Sequence, residues 1–148
     1  MPISTYSCIL GWSGDMRKVT RILAAWFAML LVSVLNGALR DFTYGKHLPE
    51  SLAHQFSTLS GILLLGAVIW FHVRHRPPGS AGEAWGIGLL WMSLTVAFEF
   101  LFFHYVGGHS WEVLLANYDL GAGRLWPLIL LWIAVAPRLF LHLLQQRG

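Results

Sequence analysis

The sequence predicts an all-α membrane protein, a bundle of four transmembrane helices with a short interfacial helix between the third and the fourth. Hydrophobic residues make up 56% of the 148 positions and charged residues only 11%. Soluble domains carry about 25% charged residues. Four apolar runs are each long enough to cross a hydrocarbon core of ~30 Å at ~1.5 Å per residue. Eight tryptophans fit this class, because their rings favour the lipid–water interface.

The chain begins with residues that lack helical periodicity, and we expect residues 1–16 to form a flexible N-terminal extension. Residues 17–148 then form a single transmembrane domain. Its first span covers residues 22–39 and follows a basic stretch that resembles the start of a signal peptide. The run is long enough to cross the bilayer, and the residues at its end make a poor cleavage site. We therefore interpret it as a transmembrane helix.

Turn-forming residues bound the second and third spans. The second span covers residues 51–73, with Pro49 before it and a stretch of prolines and glycines after it. The third span covers residues 84–106 and ends at a pair of glycines. Within it, Gly86 and Gly88 are expected to permit close approach of another helix.

The connection between the third and fourth spans contains its own periodic pattern. Trp111, Leu114, Leu115 and Tyr118 recur at helical spacing, with polar residues between them. This pattern predicts a short amphipathic helix at the membrane interface. The fourth span follows and covers residues 125–144.

The basic residues indicate the orientation of the bundle. Four spans place both termini on the same side of the membrane. Outside the spans, six Lys or Arg residues fall on the side of the termini and three fall on the other side. The positive-inside rule then predicts an N-in, C-in protein of a bacterial-type inner (plasma) membrane.

Glu99 lies well inside the third span, in a run of apolar and aromatic residues. It is roughly 10 Å from the outer end of the span at ~1.5 Å per residue. An intramembrane carboxylate is costly unless it is paired, and it is a candidate functional residue by default. We predict an ion pair between Glu99 and Arg40. A Glu99 without a cation would instead favour its neutral form and could carry a proton.

Polar residues of all four spans fall in the outer third of the predicted bundle, which indicates a polar pocket open to the outer face. The candidate binding or pocket residues are Glu99, Arg40, His54, Asn36, Thr58, Arg124 and His104. In this arrangement, His54 and Asn36 lie next to the predicted ion pair.

Several of these residues also have a structural interpretation. Asn36 and Thr58 are each typical of hydrogen bonds between membrane helices. Arg124 could extend to the lipid headgroups, and His54 could simply be solvated. An ion pair at Glu99 could hold the helices in place without any role in chemistry.

No cofactor and no metal site is predicted. His54, Glu99 and His104 carry metal-binding atoms, but no His-x-x-x-His or His-x-x-Glu-His spacing lies on one helix. The sequence contains no phosphate-binding loop and no haem-attachment motif. A single cysteine, Cys8, excludes an internal disulfide, and a formal net charge of +3 implies no nucleic-acid partner.

The predicted shape, four short-looped spans in 148 residues, is similar to that of the membrane-associated eicosanoid and glutathione metabolism family. This resemblance is one of shape alone. The polar segment His54-Gln-Phe-Ser-Thr58 does not align with the second-helix motif of that family, so no residue or activity is carried over.

Three classes of function are consistent with the sequence. The first is a small binding or transport protein, an oligomer because four helices enclose little pathway, with Glu99 as the ligand-binding or coupling carboxylate. The second is a membrane-embedded enzyme on a lipid-phase substrate, with Glu99 or His54 as general acid or base. The third is an accessory subunit without a site of its own. Membrane lipids and further copies of the chain are the expected partners.

Overall fold

The computed structural model describes the backbone of residues 5–147 and the side chains of residues 16–147. All regular structure in that part of the chain is helical. The α-helices are α1 (Thr5–Phe42), α2 (Glu50–His75), α3 (Ala81–Tyr105), α4 (Trp111–Ala116) and α5 (Trp126–Gln145). Short 3-10 turns follow α1 and α4, at Tyr44–Lys46 and Leu120–Ala122.

Four of these helices are long and apolar enough to cross a membrane: the Met16–Phe42 part of α1, and the whole of α2, α3 and α5. Their mean hydropathies are 1.8 to 2.1. The predicted all-α class with four apolar helices is therefore confirmed. A short helix, α4, does lie between the third and fourth spans, whereas its place at a membrane interface stays a prediction. The predicted flexible extension, residues 1–16, lies largely outside the residues whose side chains are described, and its flexibility stays a prediction too.

Side-chain caps explain where two of the helices begin. The hydroxyl of Ser80 accepts a hydrogen bond from the backbone N–H of Glu83 (3.1 Å), and Glu83 Oε2 accepts from the N–H of Gly79 (2.9 Å). Ser110 caps α4 in the same way, by accepting from the N–H of Val113. A Ser side chain satisfies an N–H that the first turn of a helix leaves unpaired, and so fixes the helix start.

Around the bundle the long helices follow the order α1, α2, α5, α3, so that α5 packs between α2 and α3. α1 runs antiparallel to α2 and parallel to α3, and α5 runs antiparallel to α3. The end that carries residues 43–49 and 106–125 is termed the distal end. The end that carries residues 76–80 is termed the proximal end.

Two tryptophans set the register between α1 and α3. Trp91 Nε1 donates to the carbonyl oxygen of Ile22 (2.9 Å), and Trp26 Nε1 donates to Thr95 Oγ1 (3.1 Å). Both bonds join residues that are 69 positions apart in the chain. α1 and α3 therefore keep a constant stagger over this length.

The hydrophobic core lies along the axis of the bundle. It includes Met29 of α1, Leu65 and Ile69 of α2, Trp91 of α3 and Ile133 of α5. Trp91 is fully buried despite its size, since its one polar group is satisfied by α1.

α3 and α5 approach each other closely at Gly88. A Cβ atom at this position would overlap the backbone carbonyl of Ala134, so a glycine is required. Around Gly86, in contrast, no atom lies within 4 Å of an added Cβ. The expected packing role is therefore confirmed for Gly88 and wrong for Gly86, because Gly86 faces away from α5.

Large apolar side chains cover the outward faces of the long helices. Leu35 is 68% exposed, Leu63 66% and Leu131 59%. In the most apolar stretch of each of these four helices, between 17% and 39% of the residues are buried inside the bundle. Exposing this much apolar surface to water is energetically unfavourable. The fold is therefore compatible with a multi-pass membrane protein whose outward faces contact lipid.

Candidate functional site

The carboxyl group of Glu99 lies inside the distal half of the bundle, where the residue is 9% exposed. Its Oε2 accepts two hydrogen bonds, from the hydroxyl of Tyr118 (2.7 Å) and from Trp126 Nε1 (2.7 Å). The Tyr118 bond has the ordinary length of an O–H···O bond, and the Trp126 bond lies at the short end of the range for N–H···O bonds. Within residues 16–147 no group donates to Oε1. These three residues, termed the Glu99 cluster, thus leave one carboxyl oxygen available.

The connection between α3 and α5 brings both donors to Glu99. After α3, Gly108 (φ 67°) turns the chain and Ser110 starts α4. Gly123 (φ 78°) turns the chain again just before α5 begins at Trp126. Both glycines occupy the left-handed region, which residues with a Cβ rarely adopt. The connection therefore folds back onto the distal end of the bundle, and Tyr118 reaches the buried carboxyl.

An aromatic layer holds this connection against α3. The ring of Phe100 stacks on Tyr118 (5.6 Å between centroids) and on Trp111 (6.1 Å). His104 stacks on Trp111 at 3.8 Å, and its Nδ1 lies 2.9 Å from the carbonyl oxygen of His109 and donates to it. His104, predicted as a pocket residue, therefore fastens α3 to the connection.

The two donors to Glu99 are both neutral. Burial raises the pKa of the Tyr118 hydroxyl well above its usual value, and the hydrogen bond to Glu99 raises it further. Tyr118 therefore keeps its proton at physiological pH and remains a hydrogen-bond donor. Trp126 offers an indole N–H that only donates. The two donors can thus solvate a charged carboxylate but cannot neutralise it.

Arg40 lies at the distal end of α1 and has two partners of its own. Its Nε donates to Asp41 Oδ1 (2.8 Å), and its Nη1 donates to His54 Nδ1 (3.2 Å). Because a guanidinium only donates, Nδ1 of His54 must accept, and the neutral ring then carries its proton on Nε2. That Nε2 lies 3.7 Å from Glu50 Oε1, beyond hydrogen-bond distance. Arg40, Asp41 and His54 are termed the Arg40 cluster.

The predicted ion pair between Arg40 and Glu99 is wrong. The constant register of α1 against α3 puts Glu99 level with Leu30, which lies 69 positions earlier. Arg40 is ten positions farther along α1, a distance of about 15 Å at ~1.5 Å per residue. Both residues lie in the distal parts of their helices, but the stagger between the helices separates them.

Asn36 joins α1 to α2 through its amide. Its Nδ2 donates to the carbonyl oxygen of Ser57 (2.8 Å), and Ser60 Oγ donates to its Oδ1 (2.8 Å). Thr58 Oγ1 donates within α2, to the carbonyl oxygen of His54 (2.9 Å). For Asn36 this geometry matches a helix-joining hydrogen bond. The two serines are not among the predicted residues, although their spacing of three residues indicates a shared helix face.

Arg124 is exposed and lies two residues before Trp126. Its backbone N–H donates to the carbonyl oxygen of Asp119 (3.2 Å), whereas its side chain makes no hydrogen bond and no ion pair within residues 16–147. Its charge acts on His54. It therefore lies near the Arg40 cluster in space and next to the Glu99 cluster in the chain.

His54, Glu99 and His104 do not form a common site. Each has separate partners, in the Arg40 cluster, the Glu99 cluster and the aromatic layer. Among the residues whose side chains are described, no three His, Cys, Asp or Glu side chains are placed to hold a metal ion.

The sequence did not indicate Tyr118 and Trp126 as partners of Glu99. Tyr118 was expected on an interfacial helix, and Trp126 at the start of a span. The one feature of the sequence that could have indicated this pairing is the chemistry of the two residues. Each carries a polar donor on a ring that packs well among apolar groups. Their pairing with Glu99 depends on how the connection folds, which no local pattern specifies.

The fold and the site together define a class of protein: an all-helical bundle of four apolar helices, compatible with a multi-pass membrane protein, with a buried carboxyl group in its distal half. In comparisons with known proteins, no family model matches the chain, and neither does any curated protein or solved structure. The function is therefore inferred from the Glu99 cluster.

Proposed function

We propose that the protein is a small binding or transport protein of a membrane, and that Glu99 is its ligand-binding carboxylate. One observation carries this proposal: the carboxyl is buried and oriented, yet one oxygen has no donor and no cation pairs with it within residues 16–147. A charged side chain at the centre of a membrane helix costs about 2.5–3.5 kcal/mol on insertion scales. A buried carboxylate that has no cationic partner in the described residues is suited to bind a cationic ligand.

The geometry favours a cationic ligand, either a metal monocation or an organic ammonium group. Tyr118 and Trp126 hold Oε2 and orient the group, and Oε1 is left as an acceptor. A cation on Oε1 would neutralise the charge that two neutral donors leave in place. In the described part of the chain the ionisable side chain that bonds to Glu99 is Tyr118, whose raised pKa keeps its proton in place. This supports binding over acid–base catalysis.

The other predicted pocket residues take secondary parts in this proposal. We assign Arg40, His54 and Arg124 to the distal entrance, where their charges would act on an approaching ligand. Asn36 and Thr58 are assigned to the packing of α1 and α2.

The proposed orientation places the distal end outside a bacterial-type inner (plasma) membrane, with both termini inside. It is supported by the distribution of basic residues. Buried side chains such as Leu65 and Trp91 fill the core of a single bundle. We therefore propose that transport would use a homo-oligomer, with a pathway between copies and lipid around them.

Thermal unfolding of the full-length protein in detergent tests the cation site. Sodium, potassium and ethylammonium chlorides are compared at equal ionic strength. We expect at least one of them to raise the Tm of the wild type by about 5 °C or more at 100 times its Kd. The shift arises because a cation that binds only the folded protein stabilises it by mass action.

Two variants show whether the effect belongs to Glu99. Glu99→Gln keeps the shape of the side chain and removes its charge, so the cation-dependent shift should disappear. Glu112→Gln removes an exposed carboxylate from α4 and should keep the full shift. A Glu99→Gln protein that responds as the wild type does, or a wild type that responds to none of the three cations, would contradict the proposal.

A further inference from the structure

We propose that residues 110–122 form a lid over Glu99, that Tyr118 is the latch of this lid, and that the charge on Glu99 keeps the lid closed. Access to the carboxyl group would then depend on how often the lid opens. The role of the lid for a ligand rests on the proposed function, whereas the lid and its latch do not.

The backbone of the lid is hydrogen-bonded within the lid itself. The N–H of Tyr118 donates to the carbonyl oxygen of Leu115 (3.0 Å), and the N–H of Ala122 donates to that of Asp119 (3.2 Å). In the part of the chain that the structure describes, no backbone group of residues 110–122 bonds to α3 or α5. The lid can therefore move as a unit without losing backbone hydrogen bonds to the bundle.

A glycine flanks the lid on each side. Gly108 (φ 67°) precedes the lid and Gly123 (φ 78°) follows it. At either glycine an added Cβ would meet no atom within 4 Å, so both positions border open space. Glycine also has more accessible backbone conformations than other residues. Both ends of the lid are therefore suited to act as hinges.

Side chains rather than backbone groups hold the lid on α3. Leu114 is 3% exposed, and the rings of Trp111 and Tyr118 stack on Phe100. Tyr118 also donates to Glu99. Most other residues of the lid are exposed. A segment with few buried contacts and an exposed backbone is typical of the parts of a protein that open locally.

The hydrogen bond from Tyr118 to Glu99 (2.7 Å) joins the lid to the buried carboxyl group. A hydrogen bond to a charged acceptor is roughly twice as strong as one between neutral groups. Closure of the lid is therefore most stable while Glu99 is charged, and it weakens when that charge is removed. Trp126 belongs to α5, so the carboxyl group keeps this donor when the lid opens.

Thiol labelling of the full-length protein in detergent measures how often the lid opens. Leu114→Cys places a single buried thiol on the lid, in a Cys8→Ser background, and a maleimide reacts with this thiol when the lid is open. Leu141→Cys is the matched control, because Leu141 is also 3% exposed but lies in the core of the bundle. We expect the Leu114→Cys protein to be labelled at least about tenfold faster, since exposing Leu141 requires the bundle itself to open.

Two further substitutions test the latch. We expect Tyr118→Phe to speed the labelling of Leu114→Cys by about tenfold or more, because it removes the hydrogen bond and keeps the ring. Glu99→Gln leaves a neutral acceptor and should speed the labelling by a smaller factor. Tyr105→Phe, at an exposed tyrosine, should leave the rate unchanged.

Two results would overturn the lid. The first is a Leu114→Cys protein that is labelled no faster than Leu141→Cys. The second is a Tyr118→Phe substitution with no more effect on the labelling rate than Tyr105→Phe. If Leu114→Cys does not fold, hydrogen exchange of the amides of residues 110–118 replaces the labelling. A released helix of six residues does not persist, so Tyr118→Phe should speed this exchange by the same factor.

A cation gives a separate readout that does depend on the proposed function. A cation on Oε1 partly neutralises the carboxylate and weakens the latch, so a salt that raises the Tm should also speed the labelling of Leu114→Cys. A salt that raises the Tm and leaves the labelling unchanged would overturn control of the lid by the charge on Glu99. If no salt raises the Tm, the proposed function fails, and Tyr118→Phe alone decides whether the lid exists.

Discussion

At the scale of single residues, the position of Glu99 depends on two aromatic side chains from outside its own helix. Both hydrogen bonds reach the same oxygen, Oε2, at 2.7 Å. Hydrogen bonds to charged groups each contribute roughly 1.5–3 kcal/mol. Tyr118 and Trp126 therefore orient the carboxyl and also hold the distal connection on the bundle.

Tyr118→Phe removes the hydroxyl and keeps the ring that stacks on Phe100. We expect it to lower the free energy of unfolding by about 1.5–3 kcal/mol, because Glu99 loses one of its two donors. Denaturant unfolding in detergent measures the change. Tyr105→Phe, at a tyrosine that is 73% exposed, is the matched control and should change stability by less than about 0.5 kcal/mol.

The same substitution in a Glu99→Gln background separates hydrogen bonding from packing. With a neutral acceptor, the loss caused by Tyr118→Phe should fall to about 0.5–1.5 kcal/mol, since neutral hydrogen bonds contribute less. Equal losses in the two backgrounds would show that the hydroxyl does not act through the carboxylate.

At the scale of helices, the contact of α3 with α5 decides how α3 is placed. At Gly88 a Cβ atom would overlap the backbone of Ala134. Two residues away, Gly86 faces open space. The same substitution can therefore be compared at a crowded position, Gly88, and at an open position, Gly86.

Gly88→Ala should destabilise the protein by about 1–3 kcal/mol, because α3 and α5 must separate to admit the methyl group. Gly86→Ala should be neutral, or more stable by up to about 1 kcal/mol, since alanine favours the helix and meets no neighbour. Parallel unfolding curves in one detergent measure both. If Gly86→Ala cost as much as Gly88→Ala, the packing of α3 on α5 would be wrong.

At the scale of the whole molecule, the bundle has two chemically different ends. The distal end carries the Arg40 cluster and the connection that covers the Glu99 cluster. The proximal end carries the exposed Arg17 and Arg21 and the Lys18–Glu83 ion pair. An orientation with the termini inside would put the candidate cation site on the outer side of the membrane.

Single cysteines test this orientation in a Cys8→Ser background. His47→Cys marks the distal end and Pro77→Cys the proximal end, and both positions are exposed. In intact spheroplasts, a membrane-impermeant maleimide should label the first variant, and should label the second only after lysis. Labelling of the Pro77→Cys variant in intact spheroplasts would reverse the proposed orientation.

The number, type and approximate limits of the apolar helices can be predicted from the sequence alone, because helix length and hydropathy are local properties of the chain. The sequence also identified Glu99 as a carboxylate inside an apolar helix, since every neighbouring residue in the chain is apolar or aromatic. These features needed no knowledge of which helix packs against which.

The partners of Glu99, in contrast, depend on how the helices and the connection pack together. The stagger of α1 against α3 places Arg40 about 15 Å from the level of Glu99 along the helix axis. The hydrogen bonds of Trp26 and Trp91 set that stagger. The fold of the connection brings Tyr118 and Trp126 in place of Arg40. Stagger and loop path arise from contacts between residues far apart in the chain, and helical periodicity carries no information about them.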